Sequence, residues 1–213
     1  MRVIDAEADG QQALKESLTL LKQNEMVLVC HKGLNAWLVC APTRIACEQM
    51  ELAKKRPKGS RNFCFVIGDI EKFYNLFDEG SLPSTLDSAE KLAIFEQAHL
   101  RVALANDTNV NDILLRDGMV QGALFPEAES SIRSYFKELE IGLEGYNDQD
   151  LLLGKDYHAA LATSANFHGK GNIVDFEEAK DFAEGLGVKL CVTFNPVQYI
   201  DPGHWTIYIT QDY

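Results

Sequence analysis

The sequence predicts an α/β fold, one domain over residues 1–213 with a mixed sheet flanked by helices. Three observations predict it. A chain of 213 residues suits one well-packed core and is short for two ordinary ones. Helical and strand periods alternate along it without strict strand-helix-strand regularity. No repeat, low-complexity tract or linker-like stretch interrupts that order. An apolar fraction of 46% and a charged fraction of 24% are ordinary globular usage, which excludes disordered and fibrous classes.

Asp9 is placed to cap a first helix, in which Leu14, Leu18 and Leu21 recur at helical spacing and Asn24 marks the stop. Residues 26–30 and 36–40 are short apolar runs read as strands, separated by the turn-prone His31-Lys32-Gly33. Pro42-Thr43 opens a second helix, predicted to turn Ile45, Met50 and Leu52 inward, and Pro57 forbids its continuation. Residues 63–67 form a nearly continuous apolar run, as expected of a central strand covered on both faces.

Helices are predicted near 70–77 and 88–98 around the loop 80–84, followed by strands over 101–105 and 119–125. Pro126 precedes a helix carrying Ile132, Phe136 and Leu139 on one side, and 144–150 reads as an exposed polar loop. A strand over 159–163 runs into Ser164-Ala165-Asn166 and the Gly169-Lys170-Gly171 turn. A helix over 175–186, ended by Gly185 and Gly187, and strands over 188–194 and 205–209 complete the order.

The net charge of −12 argues against broad duplex nucleic-acid binding, which needs a wide basic stripe. Positive charge is instead concentrated in Lys54, Lys55, Arg56, Lys58 and Arg61, a density that suits a small anion, although spacing alone favours a solvated helix end. The five cysteines are odd in number, lack a CxxC and lie mostly in apolar runs, so buried free thiols are expected and a zinc site is not. Without a signal peptide or an apolar run near the ~18 residues of a spanning helix, no membrane association and a cytoplasmic location are expected.

Lys54 and Arg56 stand two apart where a helix becomes a loop; an extended loop would converge both heads on one anion. Arg supplies a planar fork and Lys a mobile point charge, a pair suited to a polyphosphate. At the end of a strand, Thr163-Ser164-Ala165-Asn166 offers hydroxyl and amide donors beside small residues that admit a ligand. The alternative is a local turn in which Ser164 and Asn166 bond their own backbone. Of the histidines, only His31 and His168 fall within candidate pocket segments, each equally readable as a hydrogen-bonded loop residue; no catalytic triad can be assembled.

Lys54-Lys55-Arg56-Pro57 before the strand at 63–67, and Ala162-Thr163-Ser164-Ala165-Asn166 with Gly169 far downstream, resemble the KxRP and TSANxSG-type motifs of the YrdC-like family. The resemblance covers most of the chain in its order of elements, and these two stretches are its specific part. It implies a twisted mixed sheet with helices on both sides and a large concave cavity. The implied activity is that of a threonylcarbamoyl-AMP synthase, a nucleotidyltransferase reaction on threonine, bicarbonate and ATP that prepares tRNA adenosine modification. Lys54, Arg56, Ser164 and Asn166 would bind the ATP phosphates, and magnesium would assist the departing pyrophosphate.

The chain departs from the family pattern on the amino-acid side. The PTDTxYGL-like segment is replaced by His31-Lys32-Gly33-Leu34-Asn35-Ala36-Trp37-Leu38, the RVP-like strand end by Leu124-Phe125-Pro126, the serine before Gly169 by His168, and the STIVD-like strand by Trp205-Thr206-Ile207-Tyr208. The expectation is a surviving phosphate half and an acceptor half rebuilt around His31, Lys32, Trp37, His168 and Trp205. That leaves two functions open: a divergent enzyme making a carbamoyl-adenylate of threonine or another amine, or a non-catalytic nucleotide- or RNA-binding module with the same cavity. In the second, a single-stranded RNA end is the expected nucleic-acid partner. An unrelated α/β protein with a structural Ser-Ala-Asn turn is the third reading.

Overall fold

Runs of β-branched and apolar residues bounded by turn formers become strands, and the segments with helical spacing become the helices that cover them. The computed structural model describes residues 1–32, 35–57, 63–68, 100–104, 115–116, 119–125, 130–146, 159–167, 170–171, 173–195 and 205–208. Along these the order is β1 (Arg2–Asp5), α1 (Ala6–Leu21), β2 (Val27–His31), β3 (Asn35–Cys40), α2 (Arg44–Ala53), β4 (Cys64–Ile67), β5 (Leu100–Leu104), β6 (Leu115–Arg116), β7 (Met119–Leu124), α3 (Ser130–Gly142), β8 (Leu161–Ser164), α4 (Phe176–Gly185), β9 (Leu190–Phe194) and β10 (Trp205–Tyr208). The helices predicted near 70–77 and 88–98 lie outside the described residues. Among the described residues no helix is long and apolar enough to cross a membrane.

The ten strands form one sheet in the order β1-β9-β2-β3-β8-β4-β7-β5-β10, with β6 paired to β7. It is mixed: β9 lies parallel to β1 and β2, β4 to β7 and β5 to β10, whereas β8 runs antiparallel to both β3 and β4. The strand at 64–67 is interior and fully buried, as its apolar run predicts. β1 and the two-residue β6 are strands that sequence reading missed; β1 sits at one end of the sheet, in register with β9 from Arg2↔Leu190 to Asp5↔Thr193.

Pairing register assigns the two faces. Val29, His31, Trp37, Val39, Ala162, Ser164, Val192 and Phe194 share one, on which α1 and α3 lie, with Tyr135 of α3 meeting Phe194 at 5.4 Å between ring centroids. Cys30, Leu38, Cys40, Thr163 and Cys191 share the other, covered by α2 and α4, where Cys47 of α2 hydrogen-bonds Cys40. All five thiols are free and buried, as expected.

α1 begins earlier than Asp9 predicts: Asp5 caps it by accepting from the Glu7 N–H at 3.0 Å. Asp9 sits at a kink in that helix and caps the remainder, accepting from Gln12 N–H at 3.2 Å. In α2 the predicted inward stripe is wrong in two of three positions. Met50 is fully buried, but Ile45 and Leu52 are 56% and 80% exposed; Ala46, Cys47 and Glu51 complete the inward side. The stripe misled because a small residue and a thiol fit a close helix-to-sheet contact better than the larger side chains do. α3 buries Ile132, Phe136 and Leu139 as predicted, together with Tyr135.

Candidate functional site

The end of α2 builds the site. Lys54 is the helix C-cap and Lys55 follows with φ of 53°, in the left-handed region. Arg56 N–H reaches back to the Glu51 carbonyl at 2.9 Å and Lys55 N–H to that of Leu52 at 3.0 Å. This is a Schellman closure, with lysine at the position glycine usually takes. The loop is therefore not extended, as convergence of the two cations was expected to require. The left-handed residue brings Lys54 and Arg56 together by turning the chain back on itself and leaves Lys55 exposed.

The acceptors come from the end of β8. Lys54 Nζ donates to Thr163 Oγ1 at 3.1 Å, to Asn166 Oδ1 at 3.4 Å and to the Ser164 carbonyl. Arg56 Nη2 donates to the same Thr163 Oγ1 at 2.6 Å. Ser164 Oγ donates to Asn166 Oδ1 at 2.7 Å, and Asn166 Nδ2 donates to the carbonyls of Lys170 and of Gly171, the latter at 3.1 Å. The structure thus brings Lys54, Arg56, Ser164 and Asn166 into one network more than 100 residues apart in sequence. It also shows the turn weighed as the alternative, with Asn166 N–H on the Ser164 carbonyl at 2.9 Å.

Thr163 is the member that sequence reading passed over as a specific contact. It is 6% exposed and takes both cations on one hydroxyl oxygen. The alternation of β8 signals it, because the residue beside Ser164 must face α2.

Lys54 is fully buried, and among the described residues no carboxylate pairs with it. Burial and then the neighbouring Arg56 charge push its ammonium down from 10.5 to about 6.

The residues expected to form an acceptor pocket have varied surroundings. His31 is the last residue of β2 rather than part of a turn; it is 1% exposed and its Nε2–H donates to the Asn195 carbonyl at 2.7 Å. Lys32 pairs with Asp5 at 3.6 Å. Trp37 stands opposite Ser164 in the β3–β8 register, on the α1 and α3 face. Its ring meets Phe125 edge-on at 5.2 Å, and Phe125 stacks on Phe136 at 5.3 Å. The apolar side chain at 125, where the resemblance expects arginine, is therefore built into an aromatic row. Trp205 lies in β10 opposite Leu100, and His168 lies outside the described residues.

No family model matches the sequence, and no curated protein matches it. Solved structures do. A doubly substituted P. abyssi Sua5 aligns with a TM-score of 0.63 at 18% identity, covering 98% of this chain and 57% of that one. P. abyssi Sua5 complexed with L-threonine aligns at 0.61 and 17%, covering 92% of this chain and 50% of that one. E. coli YciO aligns at 0.60 and 17%, covering 95% and 86%. The chain therefore spans about half the length of the Sua5 chains it matches. The ten-stranded mixed sheet with its flanking helices is the fold of Sua5 and YciO, the YrdC-like fold that the KxRP and Ser-Ala-Asn motifs predict.

Proposed function

We propose that this chain is a divergent threonylcarbamoyl-AMP synthase-like protein that binds ATP through Lys54, Arg56, Ser164 and Asn166, with Thr163 positioning the two cations. The observation that carries the reading is the buried Lys54, held by three oxygen acceptors and an adjacent arginine with no described carboxylate. Burial and the neighbouring Arg56 push the Lys54 ammonium towards its neutral form, and phosphate oxygens brought beside it would favour the charged, donating form. The shared fold with Sua5, one structure of which is a complex with L-threonine, supports an amino acid as the second substrate.

In this reading a carbamate, formed from an amine and bicarbonate with loss of water or from carbamoyl phosphate and water with release of its phosphate, bonds through its oxygen to the α-phosphorus. The bond from that phosphorus to the bridging oxygen breaks, and pyrophosphate leaves. Lys54 and Arg56 neutralise charge on the phosphates and fix their orientation. Magnesium, as the counter-ion that ATP brings with it, would neutralise charge on the departing pyrophosphate.

The test is titration of MgATP into the native chain and a Lys54→Ala, Arg56→Ala double variant. It is followed by pyrophosphate release with bicarbonate or carbamoyl phosphate across the common amino acids. Binding lost in the variant and release with one amine establish the reading. One observation favours a second reading, nucleotide or RNA binding without turnover. His31 and Lys32, which stand where the family's threonine-side segment would be, already serve the Asn195 carbonyl and Asp5. ATP binding with no pyrophosphate release from any amine selects it.

A further inference from the structure

Phe167 follows Asn166 directly and is 38% exposed, an unusual place for a phenyl ring beside a network of ammonium, guanidinium, hydroxyl and amide groups. Its orientation is fixed from two sides. Phe182 of α4 packs against it nearly perpendicular, 82° between planes with centroids 4.9 Å apart. Lys55 Nζ stands over the ring, 5.2 Å from its centroid. Lys55 lies between Lys54 and Arg56 in the chain, so the ring face that its ammonium covers lies within one lysine side chain of the segment that gathers the cations. An exposed cation over a phenyl ring is held weakly enough to be exchanged for another partner.

We propose that this face of Phe167 is a stacking platform for the base of the bound nucleotide, displacing Lys55, whose ammonium then stands beside the phosphates. The inference rests on the phosphate-binding reading above and extends it to the nucleoside. Stacking on a single ring uses the π-face that every base has, so the platform favours nucleoside triphosphates over bare polyphosphate without selecting one base. Phe182 holds the ring in place before the base arrives, which removes part of the ordering cost of binding.

The test compares MgATP with inorganic tripolyphosphate, by calorimetric titration of the native chain and of Phe167→Ala, Phe167→Leu and Phe167→Trp. In the native chain ATP binds more tightly than tripolyphosphate. Phe167→Ala and Phe167→Leu weaken ATP about tenfold or more, leave tripolyphosphate unchanged and bind ATP and GTP alike, and Phe167→Trp restores ATP. The leucine keeps apolar packing on Phe182, so its failure to bind ATP separates stacking from loop support. ATP affinity unaltered in both small variants overturns the platform and leaves the phosphate site standing, as does equal loss of ATP and tripolyphosphate. Native chain that binds neither ligand overturns the phosphate reading, and the platform with it.

Discussion

Replacing Lys54 by methionine, a side chain of similar length without charge, tests the electrostatics of the site quantitatively. With its ammonium pushed down to about 6, this position is mostly neutral in the ligand-free protein at pH 7. Phosphate oxygens favour the charged form, so binding at pH 7 takes up most of a proton, and affinity falls as pH rises, approaching tenfold per unit above about pH 7. Calorimetry at pH 7 in buffers of different ionisation enthalpy reads this directly, with excess magnesium holding the nucleotide fully ionised. The slope of observed enthalpy against buffer enthalpy shows uptake of most of a proton for the native chain and none for Lys54→Met. A second arm needs no ligand. The unfolded lysine keeps its proton up to about 10.5 and the folded one only up to about 6, so between these values the unfolded chain binds more protons. The penalty is complete below pH 6 and disappears by 10.5. Native stability therefore rises by about 2 kcal/mol between pH 6 and 8 relative to Lys54→Met. Unfolded thiols begin to ionise within this window and bring in Cys30 and Cys191, raised to about 11 and about 12 in the fold, but they do so in native and variant alike and cancel in the difference. Undiminished ATP binding with no proton uptake, and parallel stability profiles for native and variant, would refute a neutral Lys54.

Other substitutions test the packing around the site. Lys55→Gly removes the left-handed strain at φ of 53° and raises stability by up to about 1 kcal/mol in urea melts. Met50→Ala costs about 2–5 kcal/mol, whereas Leu52→Lys, at a position 80% exposed, stays within about 0.5 kcal/mol of the native chain. Gly68→Ala would place a Cβ 2.3 Å from the Lys137 backbone nitrogen, where β4 meets α3, and lowers stability by about 1–3 kcal/mol or more. Asp175→Ala removes the acceptor for the Glu178 N–H at 2.9 Å and costs about 1 kcal/mol.

The sheet was legible where burial on both faces leaves a largely apolar run, as in β2, apart from its last residue His31, in β4 and in β9. It was illegible where a strand is short and terminal, as in Arg2–Asp5, whose pairing with β9 is a long-range choice that four residues cannot announce. Periodicity likewise located α2 but not its inward side, because contact with the sheet selected Ala46 and Cys47 over Ile45 and Leu52. At the site, the identities of Lys54, Arg56, Ser164 and Asn166 were readable from two short motifs. Their joint acceptor Thr163 and the left-handed closure at Lys55 were not, since both depend on how β8 lies against α2.

Two locally unfavourable choices at neighbouring positions argue that this corner was shaped by something other than stability. A buried ammonium without a described carboxylate is costly, and an apolar side chain of similar volume would pack the same space with no charge to desolvate. A lysine in the left-handed C-terminal position is also costly where glycine would serve. The two are coupled. The left-handed turn at Lys55 swings Arg56 back beside Lys54, which pushes the buried ammonium further towards its neutral form. Local departures that reinforce each other's cost are expected at functional sites and are hard to sustain in a purely structural corner. A bound polyanion would relieve the charge part of that cost by supplying the negative charge that the described carboxylates do not. The stability gain on adding MgATP should accordingly be large in the native chain and small in Lys54→Met. An equal thermal shift in both would mean that the buried lysine is a structural strut and that any nucleotide binds elsewhere.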